Sequence, residues 1–75
     1  MKTYVFPIGL EQEEDGRWSA WIEALPGCAV WGYSKQETQE AMKEAAQAYI
    51  EVLVEKGGSI PQGAAFDAPV VAVTV

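Results

Sequence analysis

The sequence predicts an α+β fold of order β-β-β-α-β, a small antiparallel sheet covered on one face by one long helix. Three observations carry this. An amphipathic stretch from Ser34 to Gly58 has a start signal and a stop signal at its ends, apolar side chains alternate near the start of the chain, and turn sequences separate short β-forming runs. A helix with one apolar stripe needs a flat surface to cover it, and the remaining segments read as short strands.

From Thr3 to Glu11, Tyr4, Phe6, Ile8 and Leu10 alternate with Val5, Pro7 and Gly9, which predicts a strand with one face buried. Pro7 has no N–H for a ladder, so this strand is expected at an edge or with a bulge there. Asp15-Gly16 predicts a hairpin turn with positive φ at both central residues. Arg17 to Glu23 is the second strand, with Trp18, Ala20 and Ile22 on one face and Ser19 and Trp21 on the other. Leu25-Pro26-Gly27-Cys28 fits a type II turn, proline presetting φ and glycine taking φ > 0. Cys28 to Tyr33 is a third strand, which Gly32 ends or opens to a close approach by the helix start.

Ser34 and Glu37 form a capping box, in which each side chain accepts from the other's backbone N–H. Lys56 falls in the last turn, Gly57 closes the last carbonyls, and Pro61 prevents a restart. Ala41, Met42, Ala45, Ala48, Tyr49, Val52 and Leu53 recur at spacings of three and four and define the apolar stripe. Residues 57–63 read as a loop, and residues 64–69 carry no period. Val70 to Val75 is apolar at nearly every position, which predicts a strand buried on both faces or donated to a neighbour.

A chain of 75 residues makes one domain, taken as residues 1–75. A core of this size rarely supplies more than about 3–5 kcal/mol, so some reinforcement is expected. One cysteine and no histidine exclude an internal disulfide and argue against zinc. Association remains, and a homo-oligomer, dimer or tetramer, is predicted. The start of the chain lacks the apolar run of a signal peptide and no stretch has membrane-span length, so a cytoplasmic protein is expected. A net charge of −6 with only five basic residues argues against direct nucleic-acid binding and favours a basic partner.

The turn Asp15-Gly16, the aromatic strand after it, Leu25-Pro26-Gly27-Cys28, Gly32, the helix opening Ser34 to Glu37 with Ala41, Ala45 and Ala48, and Lys56-Gly57 through Ile60-Pro61 together resemble the HicB-like antitoxin domain, also described as the UPF0150 group. The resemblance spans roughly residues 3–61. It implies a reduced RNase H-like core and a protein that neutralises a small basic RNA-cleaving toxin of the HicA type. Full-length members usually carry a further DNA-binding segment, and this chain is similar to a short form that ends at Val75 without one. Autoregulation by DNA binding is therefore not carried over. A stand-alone oligomeric scaffold or regulatory protein with no toxin is the alternative.

Catalysis is not expected. A two-metal nuclease needs converging carboxylates, and the middle of the first strand offers none. Cys28 has no histidine to act as its base and reads as a small buried hydrophobe, and no cofactor is implied. Glu13, Glu14 and Asp15, beside Glu11, form an acidic hairpin tip that is either a solvated turn or a contact for a basic toxin. Glu44, Glu51 and Glu55 lie with Glu37 and Glu40 on the polar side of the helix. Like charges at i, i+4 cost about 0.2–0.5 kcal/mol each, and solubility or steering of a cationic partner explains their presence. Trp21 and Trp31 form an aromatic patch if both point away from the helix, open to a subunit or to a toxin. Gly16, Leu25, Pro26, Gly27, Cys28 and Gly32, with Asp15, are read as structural residues of the family motif.

Overall fold

The computed structural model describes residues 2–61 and 69–75. In chain order these form β1 (Thr3–Pro7), β2 (Gly9–Gln12), β3 (Trp18–Trp21), β4 (Ala29–Gly32), α1 (Lys35–Glu55) and β5 (Val70–Thr74). The strands make two antiparallel sheets, β1-β5 and β2-β3-β4. α1 packs against β3, β4 and β5 and so bridges both sheets. The expected layering of one helix on antiparallel strands is the one observed.

The single first strand expected from Thr3 to Glu11 is instead two strands that change partner around Ile8. Lys2 N–H donates to Val75 O at 2.8 Å and Ile8 N–H to Pro69 O at 2.9 Å, whereas Glu13 N–H donates to Arg17 O. Backbone groups of successive strand residues point to opposite edges, so even-numbered residues serve β5 and odd-numbered residues serve β3. Pro7 is on the odd side and has no N–H to offer. Beyond Trp21 the opposing chain has already turned away, with Leu25 N–H closing onto Ile22 O at 3.1 Å. Proline thus sits where the ladder has no use for it.

β5 is buried on one face only. Val71 and Val73 are buried, while Val70 is 49% exposed. The even apolar composition, which predicted two buried faces or donation to a neighbour, did not distinguish the two sides of this strand, which pairs with β1 of its own chain. Residues 62–68 of the segment before it lie outside the described residues.

The helix starts as predicted. Ser34 is the N-cap and its Oγ accepts from Glu37 N–H at 3.0 Å; the return bond from Ser34 N–H to Glu37 is not formed. Thr38, fully buried, donates its hydroxyl to Ser34 O at 2.8 Å. Lys56 lies one residue beyond the helix, as its C-cap. Gly57, at φ 72°, donates to Val54 O at 3.1 Å and Gly58 to Leu53 O at 2.8 Å, the paired bonds of a Schellman motif.

The buried stripe is rotated from the predicted one. Thr38, Met42, Ala46 and Ile50 form its centre. Ala41, Ala45, Tyr49 and Leu53 flank it, whereas Ala48 is exposed and Val52 is 46% exposed. Alanines and valines occur on several sides of this helix, and the two sheets bury most fully the i, i+4 row that carries the large Met42 and Ile50. Those two side chains join Phe6, Leu25 and Val73 in the core.

Candidate functional site

Strand register separates the two sides of the β2-β3-β4 sheet. Gly9 stands opposite Trp21, Glu11 opposite Ser19, Ser19 opposite Trp31, and Trp21 opposite Ala29. Directly paired residues share a face. The alternate set, with Trp18, Ala20 and Gly32, meets the helix: a methyl group placed on Gly32 would stand 2.6 Å from Thr38 Oγ1. Glu11, Ser19, Trp21 and Trp31 therefore face away from α1, the condition under which the two tryptophans share a patch.

On this outer face Trp31 and Tyr33 are 55% and 71% exposed. Their rings meet edge to face, with centroids 5.3 Å apart and planes at 84°, an arrangement favoured by the ring quadrupoles. Trp21 is half-buried because its indole lies over Gly9, where any side chain would collide with it. The Arg17 guanidinium lies 5.3 Å from the Trp31 ring centroid. Its Nε donates to Asp15 Oδ2 at 2.7 Å. Ser19 Oγ donates to Glu13 Oε1 at 2.7 Å. Glu13, Arg17, Ser19 and Trp31 line a shallow depression of about 260 Å³.

The hairpin beside this face corrects one expectation. Gly16 has φ 93°, but no non-glycine residue has positive φ among the described residues, so Asp15 does not take the left-handed conformation expected of it. Gly16 N–H closes onto Glu13 O at 3.0 Å and Glu13 N–H onto Arg17 O. This is a three-residue loop ending in a glycine bulge. It leaves the Asp15 carboxylate free to accept from Arg17 N–H at 3.0 Å. That backbone bond is the main cause of an Asp15 pKa below the ordinary value; desolvation opposes it, and the Arg17 side chain reinforces it.

Glu44, Glu51 and Glu55 are exposed on the outer side of the helix, across the molecule from Trp31. A second shallow depression of about 530 Å³ lies there, lined by Glu40, Lys43, Glu44, Gln47, Ala48 and Glu51, with no aromatic ring. Gln47 Nε2 donates to Glu51 Oε1 at 3.1 Å and to Thr74 O at 2.8 Å. The residues expected to bind a partner thus fall into two groups that do not meet. Glu13, Glu14, Asp15, Trp21 and Trp31 belong to the sheet side and its hairpin, and Glu44, Glu51 and Glu55 to the helix.

The Leu25–Cys28 turn folds as its sequence predicts. Gly27 has φ 82° and Cys28 N–H donates to Leu25 O at 2.9 Å, a type II turn. Leu25 and Cys28 are buried, and burial pushes the Cys28 thiol pKa up. The Tyr49 hydroxyl donates to Pro26 O at 3.0 Å and ties the helix to this turn, a contact not foreseen from spacing. Arg17 is a further residue of the outer sheet face that spacing alone does not single out. The signal for Arg17 was its place two residues after Asp15, between an acidic tip and an aromatic strand. Among the described residues no three His, Cys, Asp or Glu side chains converge as a metal site, and no helix is long and apolar enough to cross a membrane.

The family described as HicB-like antitoxin of bacterial toxin-antitoxin system matches residues 6–72. A UPF0150 protein of Thermoplasma acidophilum is 37% identical over 57 residues, which cover 76% of this chain and 83% of that protein. One from Archaeoglobus fulgidus is 40% identical over 47 residues, 63% of this chain and 68% of that protein. Among solved structures, the N-terminal domain of the Burkholderia pseudomallei antitoxin HicB superposes with a TM-score of 0.74 at 20% identity, covering 95% of this chain and 96% of that one. A longer structure of that antitoxin gives 0.76 at 19% identity over 96% of this chain, which spans 62% of its length. A HicA3 and HicB3 toxin-antitoxin complex contains a chain matched at 0.65 and 18% identity, covering 93% of this chain and 95% of that one. Likenesses at such identity speak for the fold, while the family match and the two UPF0150 relatives establish descent. The chain belongs to the HicB-like antitoxin family.

Proposed function

We infer that this chain is a non-catalytic antitoxin-type protein that neutralises a small basic RNA-cleaving toxin of the HicA type by binding it, in the cytoplasm. The observation that carries this reading is the family match over residues 6–72. A structure of a HicA3 and HicB3 complex among the fold's neighbours supports it, as does a net charge of −6, which favours encounter with a basic protein. Absence of catalysis is supported by the apolar inward residues Tyr4, Phe6 and Ile8, where a two-metal nuclease would need carboxylates.

The test is RNA cleavage by the HicA-type toxin of the same genome, measured with and without an equimolar amount of this chain. Loss of cleavage together with a stable complex is the expected result; undiminished cleavage at excess chain would overturn the reading. A homo-oligomer without a toxin is favoured by one observation, the exposed outer side of the β1-β5 sheet, where Val5 is 42% and Val70 49% exposed. Sedimentation of the chain alone separates it: a monomer at micromolar concentration rules this second reading out.

A further inference from the structure

The geometry points to the outer face of the β2-β3-β4 sheet, around Trp31 and Tyr33, as the surface on which the basic partner docks, with a guanidinium of that partner stacking on the exposed Tyr33 ring of a face that also carries the Glu13 carboxylate. This rests on the antitoxin reading and decides between the two faces on which the candidate residues lie.

Four observations favour the sheet. Trp31 and Tyr33 are 55% and 71% exposed and locked edge to face, so they offer a large apolar contact that loses little freedom on binding. The Arg17 guanidinium covers one face of the Trp31 ring, 5.3 Å from its centroid, which leaves the 71% exposed Tyr33 ring as the open surface for a cation of the partner. The depression beside it carries the Glu13 carboxylate, fixed by Ser19 at 2.7 Å. Glu11 adds a second carboxylate on the same face, and the nearby cation, Arg17, is neutralised by Asp15 at 2.7 Å. The face is therefore aromatic with an acidic rim, complementary to an arginine-bearing surface.

The helix ridge lacks this combination. Its depression contains no ring, and Lys43 interrupts its carboxylates. Such a ridge contributes long-range attraction, which alters the association rate more than the strength of the complex.

The test compares binding of a catalytically inactive HicA-type toxin from the same genome to the full chain and to three variants: Trp31→Ala with Tyr33→Ala, Glu13→Gln alone, and Glu44→Gln with Glu51→Gln. The first should weaken affinity about tenfold or more, the second several-fold, and the third within about twofold. Both rings are exposed, and circular dichroism verifies that the fold is kept; Glu13→Gln tests the same face without removing a ring. Wild-type binding with an unchanged affinity for the first variant overturns the docking face alone, and so does a larger loss from the helix variant. A self-association that the ring substitutions abolish while toxin binding persists assigns the face to a second copy and overturns the inference. Failure of the wild-type chain to bind the toxin overturns the antitoxin reading, and this inference with it.

Discussion

Gly32 illustrates how single residues position the rest. Its missing side chain lets the end of β4 approach the first turn of α1, and a methyl group there would stand 2.6 Å from Thr38 Oγ1 and 3.1 Å from Thr38 N. The second contact is backbone and cannot swing aside. Gly32→Ala is expected to cost about 1–3 kcal/mol, as overpacking does, read as a lower urea midpoint with unchanged slope; an unshifted midpoint would contradict the close approach. Asp15 yields a prediction about acid. Its pKa is lowered in the folded chain from 3.8, so the stability it adds is present above that value and is lost as pH falls through the lower folded value. The stability difference between the wild type and Asp15→Asn should therefore shrink from about pH 5 to about pH 2. A difference constant over that range would show that the carboxylate gains nothing from Arg17.

At the level of elements, the helix offers the sharpest comparison, because two apolar residues two positions apart have opposite environments. Ile50 is fully buried and Val52 is 46% exposed. Ile50→Ala is expected to cost about 2–5 kcal/mol, and Val52→Ala to leave stability within about 0.5 kcal/mol, both by denaturant melts. Equal effects would restore the stripe that spacing predicts. The helix ends and the Leu25–Cys28 turn were legible from sequence because they depend on local chemistry: a hydroxyl three residues from an N–H, or a glycine where φ must be positive. The stripe's centre and the division of the first strand were not. Both are decided by which neighbour is present, and neither Ala48 nor Ile8 carries that information locally. The outer aromatic face was partly legible through Trp21 and Trp31, but the stacking of Arg17 on Trp31 depends on a cross-strand register, Ser19 opposite Trp31, that only the folded sheet supplies.

Across the whole molecule, the strand that changes partners at Ile8 joins contacts of very different reach. The β2-β3 hairpin closes between Glu13 and Arg17, whereas Thr3 meets Thr74 across a separation of 71 residues, their hydroxyls 3.0 Å apart. Closing the longer loop costs about 2.5 kcal/mol more in chain entropy, by logarithmic scaling with loop length. The hairpin and helix are therefore expected to form first and β5 to add last, since long-range pairing must bear that entropy before its contacts repay it. Ala20 and Val73 are both buried, at 1% and 0% exposure, yet they belong to opposite ends of that order. Ala20→Gly should slow refolding, while Val73→Ala should chiefly quicken unfolding, as stopped-flow kinetics would resolve. It follows that the durability of the folded state resides in β5: how long the protein survives before opening is governed by the strand that arrives after the barrier, and substitutions there change its lifetime without changing how fast it is made.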